Sequence, residues 1–517
     1  MVVAFQSSAN PSPWDALLVV SYQLPVHTPE QAEPVFHRGS TPGNRIDALA
    51  AGMRHQRATW VGGCHVTDGP GVPFSQGQLN FEPVLLSCTE RAACDEFCHH
   101  TLWPLYHDII AHPEFRQSGW AGYETVNRRF ADRIVEVAER GATVWILDHH
   151  LQLVPALLRE RRPDLRIGIF IDIPFPPMEL LYHLPWHREL LQGLLGADLL
   201  GFQLPRHQQN FIEAAQVTLG HPMHPGGLHL GTRHLRTATY PMAVQTRALS
   251  LVAAQPEAAE QAQTIRALLG DPRVLLLAFD QLDCTAGIHE RLQAFEDLIK
   301  RRELDPRDTV LVQIATTSDE EGVGNSKMRD DIDRLVGRIN GDAARFGHPP
   351  VIYVHSTGAD ATMAGLYRAA DLLLSTPLRD GMSLAAKEYI ACRQADDGAV
   401  VLSTLSGAAE QLTSAYEANP YDLEALKACL LRAVHSTAED RATRMRALRK
   451  QVADNDLARW AYRFLRDLGS HSSEVSCSGH ETHPTLELPL MDRVKGYPSA
   501  LRRWPGHSTG GSSASLS

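Results

Sequence analysis

A chain of 517 residues and 57.1 kDa is long enough for two or three domains, each with its own buried core. With 49 Lys+Arg against 60 Asp+Glu, a formal charge of −11 and 44% hydrophobic residues, it has a globular composition and lacks the basic surface that general nucleic-acid affinity requires. No apolar run reaches the roughly 18 to 20 residues that span a bilayer, no basic n-region precedes the first apolar stretch, and eight Cys without paired spacing fit reduced thiols in a cytoplasmic protein.

In chain order, the first element is the apolar run Ala16–Ser21, closed by Leu24–Pro25. Runs apolar on both faces are what a buried parallel strand looks like. Similar runs follow at Thr143–Leu147, Ile167–Ile171 and Leu199–Phe202, with helical periodicity over Tyr123–Ala138 and Leu151–Arg161. Strand alternating with helix predicts βαβ units and a parallel sheet. An Ala- and Gln-rich stretch, Ala248–Leu269, opens a second series: strands Val274–Phe279, Thr309–Ile314, Val351–Val354, Asp371–Ser375 and Ala399–Leu402, with a helix over Ile288–Lys300. The fold class is therefore α/β: two doubly wound Rossmann-like domains, residues 1–247 and 248–454, facing across a cleft where strand C-termini meet. From residue 469 the chain is rich in Ser, Gly and His with little periodicity, and 469–517 reads as a disordered tail.

The densest chemical signal is Thr376–Tyr389, which follows a buried strand and opens a helix through Asp380–Gly381–Met382–Ser383–Leu384. Backbone N–H groups at such a helix start can hold phosphate without a positive side chain, and Glu388 is placed to accept hydrogen bonds from ribose hydroxyls. On local chemistry alone an ordinary strand-to-helix turn capped by Asp380 stays equally open.

That stretch resembles the donor-binding signature of the trehalose-6-phosphate synthase family, retaining glycosyltransferases of the two-domain GT-B fold. Leu147–Pro155 is similar to the family's Asp-Tyr-His-Leu-x-Leu-x-Pro, and Ile171–Glu179 to its His-Ile-Pro-Phe-Pro segment. Ala197–Gln203, Ser406–Leu412, Trp60–Gly63 and Leu102–His107 extend the match, which covers residues 16 to 466. The resemblance implies a GT-B architecture with an acceptor-side first domain and a nucleotide-sugar second domain. A final helix over 455–468 would cross back to the first domain. The donor would be a nucleotide-activated sugar or cyclitol used as co-substrate, with no cofactor and no metal. Asp380, Gly381, Met382, Ser383, Leu384 and Glu388 would bind the donor, Gln23, Trp60 and Asp148 the acceptor, and Asp148, Asp172 and Gln281 would be the catalytic positions.

Several positions depart from the family pattern, and they depart in one direction. The family places an Arg and a Lys on the donor diphosphate in a segment that here reads Gln281–Leu282–Asp283–Cys284–Thr285–Ala286–Gly287–Ile288. Gln23 replaces an Arg expected on the acceptor phosphate, Ala93–Cys94–Asp95 replaces Tyr-Tyr-Asn, Asp172 replaces a His and Asp319 replaces an Arg. Each preorganised donor lost from a developing oxyanion costs about 3 to 4 kcal/mol. The expectation is therefore a divergent transferase acting on a neutral polyol or amino acceptor, as pseudoglycosyltransferase relatives do. The alternatives are a catalytically silent regulatory paralogue and a trehalose-6-phosphate synthase whose phosphate contacts are compensated by Arg291, Lys327, Arg329, Arg379 or Lys387. No nucleic-acid or membrane partner is expected, and a homo-oligomer is left open.

Three weaker signals read as ordinary structure. Cys94, Cys98, His99 and His100 cluster on a helix without the distant second pair a zinc site needs. His221, His224, His229 and His234 fall in a Gly/Pro-rich loop. Cys284 lacks a His partner that would make it a nucleophile.

Overall fold

The protein is described as a computed structural model over residues 16–27, 35–36, 45–53, 56–65, 71–109, 114–224, 226–316, 323–343, 348–356 and 363–470. Leu17–Gln23 (β1) is buried at every residue as far as Tyr22, so it can only be an inner strand. Val26–His27 (β2) and Val35–Phe36 (β3) form a separate antiparallel pair. The remaining strands of the first sheet are Ala58–His65 (β4), Phe74–Gln76 (β5), Leu79–Leu86 (β6), Thr143–Ile146 (β7), Arg166–Ile171 (β8), Leu199–Phe202 (β9), Met223–His224 (β10), Gly227–Leu230 (β11) and Arg233–Thr239 (β12). Their order is β10-β11-β12-β9-β8-β7-β1-β4-β6-β5, ten strands including β1. Every neighbour pair from β12 to β6 is parallel, and the antiparallel pairs lie at the two edges.

The second sheet contains Val274–Gln281 (β13), Thr309–Thr316 (β14), Val351–Ser356 (β15), Leu372–Ser375 (β16), Ala399–Ser403 (β17) and Tyr416–Ala418 (β18). Its order is β15-β14-β13-β16-β17-β18, parallel throughout. Chain order reverses between β1 and β7 in the first sheet and between β13 and β16 in the second. At such switch points the loops leaving the strand C-termini diverge and open a crevice, where open α/β sheets bind their ligands.

Side chains alternate between cores, as the period of two requires. Leu18 and Val20 join one face of the first sheet, while Val274, Leu276 and Ala278 join the outer face of the second. Leu17, Val19, Leu275 and Leu277 point into one continuous core that runs through both domains and takes in the last helix. That helix, Leu457–Gly469, packs on the first sheet, far from its neighbours in sequence. Trp460 and Phe464 are fully buried, Phe464 packs against Trp145, Phe170 and Tyr240, and the Trp460 indole N–H donates to the Tyr240 carbonyl at 3.0 Å. Glycine makes the approach possible: a Cβ on Gly201 would lie 2.7 Å from Phe464 Cε2, and one on Gly168 would lie 2.8 Å from Leu468 Cδ2.

Two regions differ from the sequence expectation. Ala58–His65 and Leu79–Leu86 are inner and near-edge strands that the periodicity did not suggest. The segment read as a His-rich loop is a hairpin, β11 paired with β12, with the His229 and His234 rings 5.1 Å apart. Cys94 and Cys98 are buried in the helical segment Cys88–Leu102. No helix among the described residues is long and apolar enough to cross a membrane.

Candidate active site

On the first-domain side the site is built from the loops that leave β1, β7, β8 and β9. Asp148, just past β7, accepts the Tyr22 N–H on Oδ2 at 2.6 Å, which ties the β7 loop to the end of β1. Asp172, just past β8, accepts both the His149 backbone N–H at 3.2 Å and His149 Nδ1 at 3.1 Å on Oδ1. The two side chains are only 7% and 6% exposed. An Nδ1–H donated to a carboxylate fixes the tautomer and leaves Nε2 as the nitrogen that can accept a proton. Asp172 thus holds His149, the residue that follows Asp148 in the chain. Where the family resemblance sets His at 172 and Tyr at 149, this chain has a carboxylate holding an imidazole supplied from the neighbouring strand end. His107 forms the next layer. Its Nδ1 bonds the Trp103 carbonyl at 2.9 Å, and burial, with His149 and Arg379 nearby, pushes its pKa down to about 3.

Gln23 is exposed at the end of β1, and its carbonyl takes a bond from Ser21 Oγ at 2.6 Å. Trp60 does not reach the cleft. It is 0% exposed, and its indole N–H donates to Ser21 Oγ at 2.8 Å, so it supports the end of β1 from within the core. The ring expected to meet the acceptor thus presents no surface to solvent in this structure.

On the second-domain side β13 ends at Gln281, which is exposed. The following turn is closed by Asp283, whose Oδ1 accepts Thr285 N and Oγ1 at 2.7 and 2.5 Å. Gly287 then sits at φ +65°, where a Cβ would fall 2.2 Å from the Thr376 carbonyl oxygen. Only glycine lets this turn pass so close to the loop after β16. Leu378 N–H completes the join to Thr285 O at 2.7 Å. Burial, reinforced by Asp280 and Asp380, lifts the Asp283 carboxyl to about 6 against its Thr285 hydrogen bonds.

Asp380 holds the donor-type loop together. Its Oδ1 accepts Met382 N–H at 3.1 Å and its Oδ2 accepts Ser406 Oγ at 3.3 Å. Burial raises its carboxyl above the usual range despite those bonds. The cap of helix Leu384–Cys392 is Ser383, whose hydroxyl takes Ala386 N–H at 3.4 Å, so Asp380 is a loop organiser and not the helix cap. Glu388 accepts the Tyr367 hydroxyl at 2.9 Å. Gly381 faces the other domain directly, since a Cβ there would lie 3.0 Å from the Asp172 carbonyl oxygen.

The cations expected to compensate separate clearly. Arg291 is 2% exposed and fully engaged, donating to Asp280 at 2.5 and 3.2 Å, Gln313 at 2.7 Å, Thr376 at 3.0 Å and the Ala286 carbonyl at 3.2 Å. Lys387 bridges the domains, donating to the Met242 carbonyl and Gln411 Oε1, both at 2.5 Å, and burial lowers its pKa to about 7. Lys327 is exposed on helix Val323–Ala343, with Arg329 half-buried two residues on. Arg379 is the candidate that reaches across the cleft, 3.2 Å from Asp108 of the first domain. Asp319 lies outside the described residues. Cys284 is not activated: burial and the Asp283 charge push its thiol up to about 11.

The sequence reading missed Asp108, Arg206, His207 and the role of His149. Arg206 and His207 stand in Leu204–Pro205–Arg206–His207, directly after β9, where Pro at the first helical turn marks the helix start. That position at a strand C-terminus was the available signal.

Two Rossmann-type sheets with their switch points facing, a donor-type loop on one side and joined acidic and imidazole groups on the other, define a GT-B type of protein. The chain matches the Glycosyltransferase family 20 profile over residues 16–470. A trehalose-6-phosphate synthase of Mycobacterium marinum is 43% identical over 462 residues, covering 87% of this chain and 92% of that one. Among solved structures, an E. coli chain bound with UDP-2-fluoro glucose is 28% identical with a TM-score of 0.79, covering 88% and 99% of the two chains. A Burkholderia xenovorans alpha,alpha-trehalose-phosphate synthase (UDP-forming) in complex with glucose-6-phosphate is 29% identical, also with a TM-score of 0.79, covering 88% and 100%. The protein therefore belongs to glycosyltransferase family 20.

Proposed function

We propose that the protein is a trehalose-6-phosphate-synthase-type transferase that moves a hexosyl group from a nucleotide sugar to a sugar phosphate, slowly for its class. The observation that carries this reading is the His149–Asp172 pair. A free Asp172 would favour an ammonium acceptor, but here the carboxylate is engaged by an imidazole and a backbone N–H, so the sequence argument for an amino acceptor loses its anchor. In this reading the nucleotide sugar lies over Asp380–Leu384 with its ribose at Glu388, and acceptor hydroxyls meet Asp148 and His149. The anomeric C–O bond to the diphosphate breaks, a bond to the acceptor oxygen forms on the same face, and the hydroxyl proton passes to the departing phosphate. Catalysis then rests on orientation and on stabilising the leaving charge. Asp280, Asp283 and Asp380 surround the donor side while Arg291 is committed to Asp280, so that stabilisation is weak and turnover is slow.

Incubation of the full-length protein with UDP- or GDP-glucose and glucose 6-phosphate, glucose or an aminocyclitol, read by mass spectrometry, tests the reading. A phosphorylated disaccharide is the expected product. Product only with the amino or neutral acceptor would overturn it. Nucleotide-sugar binding without any product would favour the silent paralogue, for which the engaged state of Arg291 and Lys387 is the supporting observation.

A further inference from the structure

Two ion pairs cross the cleft side by side. Arg379, the residue before the donor-type loop, meets Asp108 at 3.2 Å, and Arg206, in the first turn of helix Pro205–Leu219, meets Glu410 at 3.1 Å. Arg206 lies within electrostatic reach of both Arg379 and Asp108, so the four charges form one cluster with first-domain and second-domain members alternating. His207 is buried beneath it, 1% exposed, with Arg206, Arg379 and His107 as its electrostatic neighbours. Both ring nitrogens of His207, Arg379 Nε and Asp108 Oδ1 are buried and make no hydrogen bond. Native proteins satisfy nearly all such atoms. Four of them in one charged cluster, at the mouth of the donor-type loop, point to a polar ligand.

We propose that Arg206, Arg379 and His207 form an anion site for the phosphate group of the acceptor. With Arg206 and His207 from the first domain and Arg379 from the second, it would replace the phosphate contact that Gln23 cannot supply. The site rests on the transferase reading only for the identity of the molecule that carries the phosphate. Two guanidiniums give the paired N–H geometry that phosphate oxygens accept, and the first turn of a helix of 15 residues adds the positive end of its dipole. Two carboxylates oppose the anion. Glu410 is 41% exposed and can turn to water, whereas Asp108 is held close, its carboxyl raised above the usual range by burial, so it can share a proton with a phosphate oxygen. Because the Arg–carboxylate pairs join the two domains, a phosphate that takes over both arginines would hold the same closure with the substrate inside.

Calorimetric titration of the full-length protein with inorganic phosphate, glucose 6-phosphate and glucose tests this. The native chain should bind glucose 6-phosphate at least tenfold more tightly than glucose, with phosphate competing. Arg206→Gln and Arg379→Gln should each weaken both phosphate ligands about tenfold, the usual share of one charge-assisted hydrogen bond. Asp108→Asn and Glu410→Gln, which free an arginine without removing it, should tighten them several-fold. Phosphate and glucose 6-phosphate affinities within twofold of native in Arg206→Gln, or an equal loss for glucose and glucose 6-phosphate, would overturn the site. The two proposals fail separately. An Arg206→Gln chain that transfers to glucose 6-phosphate at the native KM sinks the anion site alone. A native chain that binds phosphate but no nucleotide sugar sinks the transferase reading alone.

Discussion

Restoring a cation at the end of β13 should speed the reaction. Gln281 is exposed at the strand terminus, so a guanidinium there costs little desolvation, unlike a Lys at Ala286, which is only 6% exposed. At about 5 Å from a developing phosphate charge and an effective dielectric of about 20, one positive charge contributes roughly 3 kcal/mol. Asp283, its carboxyl raised only to about 6, is still largely ionised at pH 7 and opposes part of that field, whereas Asp280 is already paired with Arg291 at 2.5 Å. A net 2 to 3 kcal/mol corresponds to about 30- to 150-fold in kcat for Gln281→Arg. Release of nucleoside diphosphate from UDP-glucose at saturating glucose 6-phosphate would be followed for native and variant chains, and kcat separated from the donor KM. A lower donor KM with kcat unchanged would refute the reasoning, because the charge would then bind ground state and transition state alike.

The acceptor-side pair should behave as a unit: Asp172→Asn and His149→Gln should each lower acceptor kcat/KM by about 10- to 100-fold, the value of a charge-assisted bond, and the double variant should lose little more, as a double-mutant cycle would show. Asp283→Asn should stabilise the protein at pH 7 by about 1 to 2 kcal/mol in urea titration, since Asn keeps the oxygen that accepts the Thr285 bonds. The sign follows from a carboxyl raised from 3.8 to about 6 in the folded chain. The unfolded chain gives up its proton first, so the native Asp283 contribution falls as pH rises through that window and stays lost above it. A variant that keeps the native pH slope would exclude this account. Phe464→Ala, at a fully buried ring, should cost about 3 to 5 kcal/mol, and a urea midpoint within error of native would show that the last helix adds little.

Strands and helices whose own sequence meets a simple environment could be read directly. Thr309–Thr316 is buried at every position, so the apolar residues Val310–Val312 with Ile314 and Ala315 identify it, and the helix read at Ile288–Lys300 has those bounds in the structure. Ala58–His65 escaped because Gly62 and Gly63 interrupt its pattern where Leu24 and the Tyr22 carbonyl press against the strand. Leu79–Leu86 escaped because Pro83 sits in it, tolerated where β5, which pairs only with Leu79–Phe81, has already ended. The candidate site divides in the same way. Positions just past strand ends, such as Asp148, Asp172 and Asp380, follow from local order and from the resemblance. The bonds His149–Asp172 and Arg379–Asp108 join residues far apart in sequence, and no local pattern encodes which strand end faces which. Burial of Trp60, and the full engagement of Arg291 and Lys387, likewise follow only from tertiary packing.

The final helix also sets an order of events during synthesis. The first sheet has all its strands once β12 has been made, yet the face formed by Trp145, Phe170 and Tyr240 is covered by Trp460 and Phe464, which follow only after the whole second sheet. Until then the nascent first domain carries an aromatic face open to water, a natural chaperone target and a point where newly made chains can associate with one another. Chains ended before Leu457 should therefore yield a first domain that aggregates, however complete its sheet.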